Sequence, residues 1–167
     1  PKAYRKAVAL LAESEFIDIF GVENSLTPAM DLFTKLGYLG LTCRLNTDAY
    51  LQQIGAGHLP HGAVAVAFSH SGSSADTVKA LRLAKSHGAK TIAITNAIGA
   101  PLASWADVTL LTGRDSHTIY GNAIFSRVAD TALVDMLYMG VILSDYGRFS
   151  TALDESGRMI RDRVFEN

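Results

Sequence analysis

Short apolar runs rich in β-branched residues alternate along the chain with segments of helical period. The runs are Phe16–Phe20, Thr42–Asn46, Ala63–Ser69, Thr91–Asn96 and Val108–Thr112, and within them stand Ile-Asp-Ile-Phe, Val-Ala-Val-Ala-Phe, Ile-Ala-Ile-Thr and Val-Thr-Leu-Leu. Near-continuous apolarity suits strands covered on both faces, as in a parallel sheet. Between them the pattern predicts helices at about Ser25–Leu36, Asp48–Ile54, Ser74–His87 and Pro101–Ala106. The third is clearest, because Ala75, Val78, Leu81 and Ala84 recur every three residues and Gly88 follows as a stop. Repeated β-α units with right-handed crossovers give a doubly wound open sheet, and ligands of such sheets bind beyond the carboxyl ends of the strands.

Two further helices flank this pattern, one over Lys2–Ala12 and a long apolar one from about Asn122 to Leu143. In the second, Ala129, Leu133, Met136, Leu137 and Met139 cover too much of the circumference for one buried stripe. Burial on two sides is expected, partly against another subunit. There is no repeat, linker or low-complexity stretch, so residues 1–167 are expected to form a single domain with its core at about 14–145.

The richest candidate chemistry follows the third strand, at Ser69-His70-Ser71-Gly72-Ser73-Ser74. A strand that delivers four serines and a glycine onto a helix N-terminus offers an anion both open amides and hydroxyl donors. The structural alternative is a serine-rich cap, since Ser73 with Asp76 three residues on has the spacing of a capping box. A cap needs one hydroxyl, however, and four are present. Gly72 would let the backbone approach a ligand closely. The loop holds no Lys or Arg, so recognition there is expected to rest on neutral donors and the helix dipole.

A second turn, Gly21-Val22-Glu23-Asn24-Ser25, falls at the same edge of the sheet. Ser25 could meet the ligand from the opposite side, while Glu23 is either a base in an enzyme or a solvated carboxylate. The segment Asn46–Tyr50 reads best as an Asp48 cap with a packed Tyr50, and otherwise as a further wall. His58 and His61 flank Pro60 without metal partners, and His70 and His117 stand near strand ends without a carboxylate partner in sequence. Arg114, Tyr120, Asn122 and Arg127 lie between the last strand and the long helix, where one of them could reach a ligand; Arg127 could equally tie the helix to its neighbours.

Composition narrows the choice of function. The 167 residues are 49% hydrophobic and 19% charged with a net charge of −1, a globular make-up without the basic excess of a nucleic-acid-binding surface. Lys2, Arg5 and Lys6 form only a small basic group, best read as a solvated helix face. The single cysteine, Cys43, excludes an internal disulfide and a Cys-x-x-Cys zinc site, which fits a reducing cytoplasm. Neither a metal nor a cofactor is called for. No apolar run approaches the ~20 residues of a membrane span. The first residue is Pro1 rather than Met, which suggests processing or excision from a longer protein.

The motif Ser-x-Ser-Gly-x-Ser/Thr at Ser69 to Ser74 resembles the phosphosugar-binding signature of the SIS (sugar isomerase) domain. The Gly-x-x-x-Ser turn at Gly21 to Ser25 and the runs GAKTIAITN and PLASWADVTLLT, residues 88–96 and 101–112, strengthen the likeness, which extends over about residues 14–145. Residues 126–138, from Ser126-Arg127 to Asp135 and Tyr138, are similar to the sensor half of RpiR-type bacterial transcription regulators, where a helix-turn-helix domain precedes the SIS domain. The resemblance implies a three-layer α/β/α sandwich with a five-stranded parallel sheet of flavodoxin-like winding and a homodimer or larger assembly. It also implies a phosphate held at Ser69, Ser71 and Ser74, with Ser25 as a further contact. Together with the turn and loop neighbours, the expected phosphosugar contacts are Glu23, Asn24, Ser25, Ser69, Ser71, Gly72, Ser73 and Ser74. This chain departs from the regulators in having Glu23 where they often have a second glycine, and Tyr50 where many have His. A carboxylate facing a phosphate is repulsive, so Glu23 is expected to point at sugar hydroxyls or away.

Two functions follow from the resemblance. The first is a sugar-phosphate sensor without chemistry, acting on DNA only through a helix-turn-helix domain that this chain lacks. The second is an aldose–ketose phosphate isomerase, whose proton transfer needs a base and an acid. Enzymes of this fold commonly carry Glu after the loop glycine; Ser73 stands there instead, leaving Glu23, His70 and His117 as substitutes. A structural dimerisation domain with an idle pocket is the third reading.

Overall fold

A computed structural model describes residues 2–113 and 126–161. Five parallel strands, β1 (Ile17–Phe20), β2 (Cys43–Leu45), β3 (Val64–Phe68), β4 (Lys90–Thr95) and β5 (Val108–Leu111), form one sheet in the order β2-β1-β3-β4-β5. All four pairings are parallel, with Ile17 opposite both Cys43 and Val64, and Val64 opposite Lys90. This is the flavodoxin-like winding, whose direction reverses between β1 and β3.

The two faces of the sheet differ in side-chain size. In β3, Val64, Val66 and Phe68 join Ile17, Ile19, Ile92 and Ile94 in one buried cluster. Ala65 and Ala67 turn the other way, into a cluster with Ala93, Ala80, Leu81 and Ala84. What reads along the chain as unbroken apolarity is a period-two pattern of large and small residues, buried on both faces. Helices α1 (Lys2–Glu13), α2 (Leu26–Tyr38) and α5 (Val128–Ser144) cover the bulky face, while α3 (Ala49–Ala56) and α4 (Ala75–Ser86) cover the alanine-rich one. The result is the expected three-layer α/β/α sandwich.

Four of the expected strands are trimmed by one or two residues at their ends, and β4 is shifted by one, starting at Lys90 and ending at Thr95. Pro101–Trp105 is a 3₁₀ turn rather than the start of an α-helix, and Glu23–Ser25 is another, so that α2 begins at Leu26. Of the long helix expected from Asn122, residues 122–125 lie outside the described residues, and α5 runs from Val128. Val134, Leu137, Val141 and Ile142 of α5 are buried, whereas Met136, Met139 and Leu143 stay exposed. Gly140 lets α1 come close, since a β-carbon there would press on Tyr4 Oη and Val8 Cγ2. The Tyr4 hydroxyl donates to Met136 O at 2.6 Å.

A sixth helix, α6 (Tyr146–Met159), was not expected as a separate element. Only Phe149 of it is fully buried, which stabilises by about 1.5–3 kcal/mol. Hydrogen bonds from Arg148 Nη1 to Ala12 O (3.0 Å) and from Ser156 Oγ to Tyr38 O (2.8 Å) complete its attachment.

Asp18 of the interior strand β1 is buried and bound by Arg44 of the edge strand β2 through Nε (3.0 Å) and Nη2 (2.5 Å). Burial pushes the Asp18 carboxyl above its usual range despite the guanidinium beside it. The same cause raises the Cys43 thiol to about 12, which leaves it protonated and unreactive at neutral pH.

Candidate functional site

The serine loop is held by its backbone to the neighbouring strand. Past the end of β3, Ser69 N donates to Ile94 O at 3.1 Å, and Asn96 N and Thr95 Oγ1 both donate to His70 O. Gly72 N turns back to Ser69 O, while Leu102 N donates to Gly72 O at 2.9 Å. Gly72 adopts φ +63°, and a β-carbon there would collide with Ala100 and stand 2.9 Å from Thr95 Oγ1. Glycine is thus required by backbone conformation and by close packing together.

The capping box does not form. Ser74 is the N-cap of α4, yet neither its side chain nor that of Ser73 caps the first turn, and Asp76 Oδ1 accepts from Gln53 Nε2 at 3.0 Å instead. The Ser74 hydroxyl oxygen accepts from Thr77 Oγ1 (3.3 Å), and that of Ser71 accepts from Ser73 N (3.2 Å). A hydroxyl that accepts in this way keeps its own hydrogen to donate elsewhere. With the opening amides of α4 uncapped by side chains, this end of the helix presents donors and a positive dipole end.

Across from this loop stands the first turn. Gln52, buried in α3, accepts from Gly21 N (3.2 Å) and donates to Gly21 O (2.7 Å) and Asn46 O (2.8 Å). One amide therefore clamps the loops after β1 and β2. Glu23 has φ +51°, in the left-handed region that favours glycine, so the second glycine common in the resembling regulators has a backbone reason.

Between the two loops lies a cleft of about 640 Å³, lined by Val22, Glu23, Asn24, Ser25, Ser69, His70, Ser71, Ser73, Ser74, Asp76 and Arg127. Seven of the eight residues expected as contacts line it. Gly72 does not; it is packed beneath, against Thr95 and Ala100. The loop itself holds no Lys or Arg, as the sequence shows, but the cleft does, because Arg127 enters from the residue before α5. Its Nε and Nη1 are shut off from solvent and have no hydrogen-bond partner among the described residues. The signal for Arg127 in the sequence was only a cation abutting an apolar helix. His70 also lines the cleft, with Nε2 3.3 Å from Asn96 Nδ2.

Other candidates fall elsewhere. Asp48 caps α3 as expected, accepting from Leu51 N at 2.9 Å, but Tyr50 is 74% exposed rather than packed. It points outward because the buried face of α3 is formed by Gln52, Gln53, Gly55 and Ala56. His58 and His61 do not line the cleft, and Arg114, His117, Tyr120 and Asn122 lie outside the described residues. A second groove of about 590 Å³ lies between α1, α5 and α6 and is mainly apolar. Among the described residues no helix is long and apolar enough to cross a membrane.

A family model, that of the SIS domain, matches residues 10–140. The chain is 31% identical over 162 residues to an uncharacterized HTH-type transcriptional regulator of Caldanaerobacter subterraneus, covering 97% of this chain and 57% of the relative. It is 26% identical over 143 residues to the HTH-type transcriptional regulator RpiR of Escherichia coli, covering 86% of this chain and 48% of that protein. The chain thus spans about half the length of these curated relatives. The structure of the Vibrio vulnificus NanR protein complexed with ManNAc-6P superposes with a TM-score of 0.91 at 25% identity, covering 99% of this chain and 62% of that one.

Proposed function

This chain belongs to the SIS domain family, and we propose that it is the phosphosugar-binding effector domain of an RpiR-type transcriptional regulator. DNA binding then belongs to a helix-turn-helix domain outside these residues, in keeping with relatives about twice as long that are HTH-type regulators. The protein works in the cytoplasm as a homodimer or larger assembly, consistent with the exposed Met136, Met139 and Leu143 on α5.

The observation that carries this reading is the convergence of Ser25, Ser69, Ser71, Ser73 and Ser74 on one cleft with the uncapped start of α4. A phosphate ester presents acceptors only, and the Ser71 and Ser74 hydroxyls, accepting from within the protein, keep hydrogens for it. Helix α4 adds amides and its dipole. Glu23 and Asn24, opposite the serines, suit sugar hydroxyls. Control of DNA binding is then differential affinity: a tenfold to hundredfold preference for one arrangement shifts the equilibrium by about 1.4–2.8 kcal/mol.

Thermal-shift and calorimetric titration against hexose and amino-sugar phosphates, each paired with its unphosphorylated parent, tests the proposal. Only the phosphates should stabilise, by several degrees at saturating concentration. Ser71→Ala should bind the best of them about 10–100-fold more weakly while melting like the wild type. Unchanged affinity in that variant would remove the serine loop from the site. In the rival isomerase, Glu23 or His70 would have to supply the base. Interconversion of glucose 6-phosphate and fructose 6-phosphate at roughly 1 s⁻¹ or faster would establish that alternative.

A further inference from the structure

The serine loop supplies hydrogen bonds but holds no Lys or Arg, whereas a phosphate monoester is close to a dianion at neutral pH. Among the described residues lining the cleft, Glu23 and Asp76 are acidic and Arg127 is the one Lys or Arg. Lys35, Arg44 and Lys85 do not line the cleft and are engaged in the fold, Lys35 with Asp31 and Asp135, Arg44 with Asp18, and Lys85 with Asp107. Arg127 differs. Its carbonyl oxygen is fixed in the first turn of α5, accepting from Thr131 N at 2.9 Å and Thr131 Oγ1 at 3.1 Å. Yet Nε and Nη1 of its guanidinium are solvent-excluded and donate to no described residue. Unpaired buried N–H groups on a cation are costly, so such a group calls for an acceptor. The cleft is where an acceptor can be supplied.

We propose that Arg127 is the charge contact of the bound phosphate monoester, closing on the anion from α5 while the serine loop holds it from α4. This rests on the phosphosugar reading above and adds to it a selectivity: the site prefers a dianionic phosphate ester to a monoanionic or neutral analogue of the same sugar. Guanidinium–phosphate bonds are charge-assisted and directional, and a lysine ammonium reproduces the charge without the planar fork.

The test titrates wild type, R127Q, R127K and S71A with glucose 6-phosphate, glucose 6-sulfate, glucose and inorganic phosphate, and melts each protein without ligand. The expected result is that R127Q keeps or raises the ligand-free melting temperature. It should lose at least tenfold in affinity for glucose 6-phosphate and inorganic phosphate and clearly less for glucose 6-sulfate, with R127K in between. If R127Q lowers the ligand-free melting temperature by several degrees or fails to fold, Arg127 is paired within the protein and the proposal is wrong. It is also wrong if R127Q weakens phosphate and sulfate esters equally, or neither. Loss of binding in S71A alone refutes only the role of Arg127. Absence of binding by the wild type to both glucose 6-phosphate and inorganic phosphate refutes it together with the phosphate-site reading on which it rests.

Discussion

Gly72→Ala and Gly88→Ala together separate two demands that the serine loop makes on one residue. Both glycines have positive φ, +63° and +87°. A β-carbon at Gly88 would meet nothing within 4 Å, so the substitution there carries the left-handed backbone penalty alone, about 1–2 kcal/mol. At Gly72 the same penalty applies, and the added methyl also presses on Ala100 and Thr95 Oγ1, an overpacking worth about 1–3 kcal/mol. Gly72→Ala should therefore cost roughly 2–5 kcal/mol, or about 4–20 °C in melting temperature for a chain of this size. Urea unfolding followed by circular dichroism gives both free energies by linear extrapolation. The methyl can be accommodated only if the 3₁₀ turn carrying Ala100 and Leu102 shifts, which strains the bond from Leu102 N to Gly72 O. Phosphosugar affinity should fall along with stability. A Gly72→Ala protein no less stable than Gly88→Ala would refute the claim that the loop is packed tightly against the turn after β4.

Glu23→Gly should stabilise the protein by about 0.5–1 kcal/mol, because the relief at φ +51° exceeds the added freedom of the unfolded chain; a lowered urea midpoint would speak against a strained turn. Asp107 offers a pH test. Burial opposes its charge, but bonds from Lys85 and from the Thr91 amide and hydroxyl outweigh that and hold the carboxyl below the usual range. The fold therefore favours the ionised form, a contribution present above about pH 4 and lost as pH falls through the depressed native value. Asp107→Asn should cost about 1–2 kcal/mol at pH 7, and the gap to wild type should shrink in unfolding titrations below pH 4. A gap that stays constant down to pH 3 would contradict it.

The sheet was legible in the sequence because its central strands β1, β3 and β4 are buried on both faces and few residues interrupt their apolar runs. The place of the cleft was legible too, since the winding rule puts the loops after β1 and β3 face to face. Helix α6 escaped because Phe149 is its single fully buried residue and the rest of the segment is polar. Tyr50 was misplaced because the buried side of α3 is made of glutamines, glycine and alanine, against the hydropathy pattern. Arg127 is separated from the serine loop by more than fifty residues of chain, and only tertiary structure brings it to the cleft. Gly72 marked the right loop, but its role is to let that loop pack.

The anchoring of the serine loop to Ile94 and Leu102 bears on kinetics. A receptor whose backbone is already set before the metabolite arrives loses little disorder on capture. Association of different sugars should then proceed at similar speed, and discrimination among them should reside in how long each one stays.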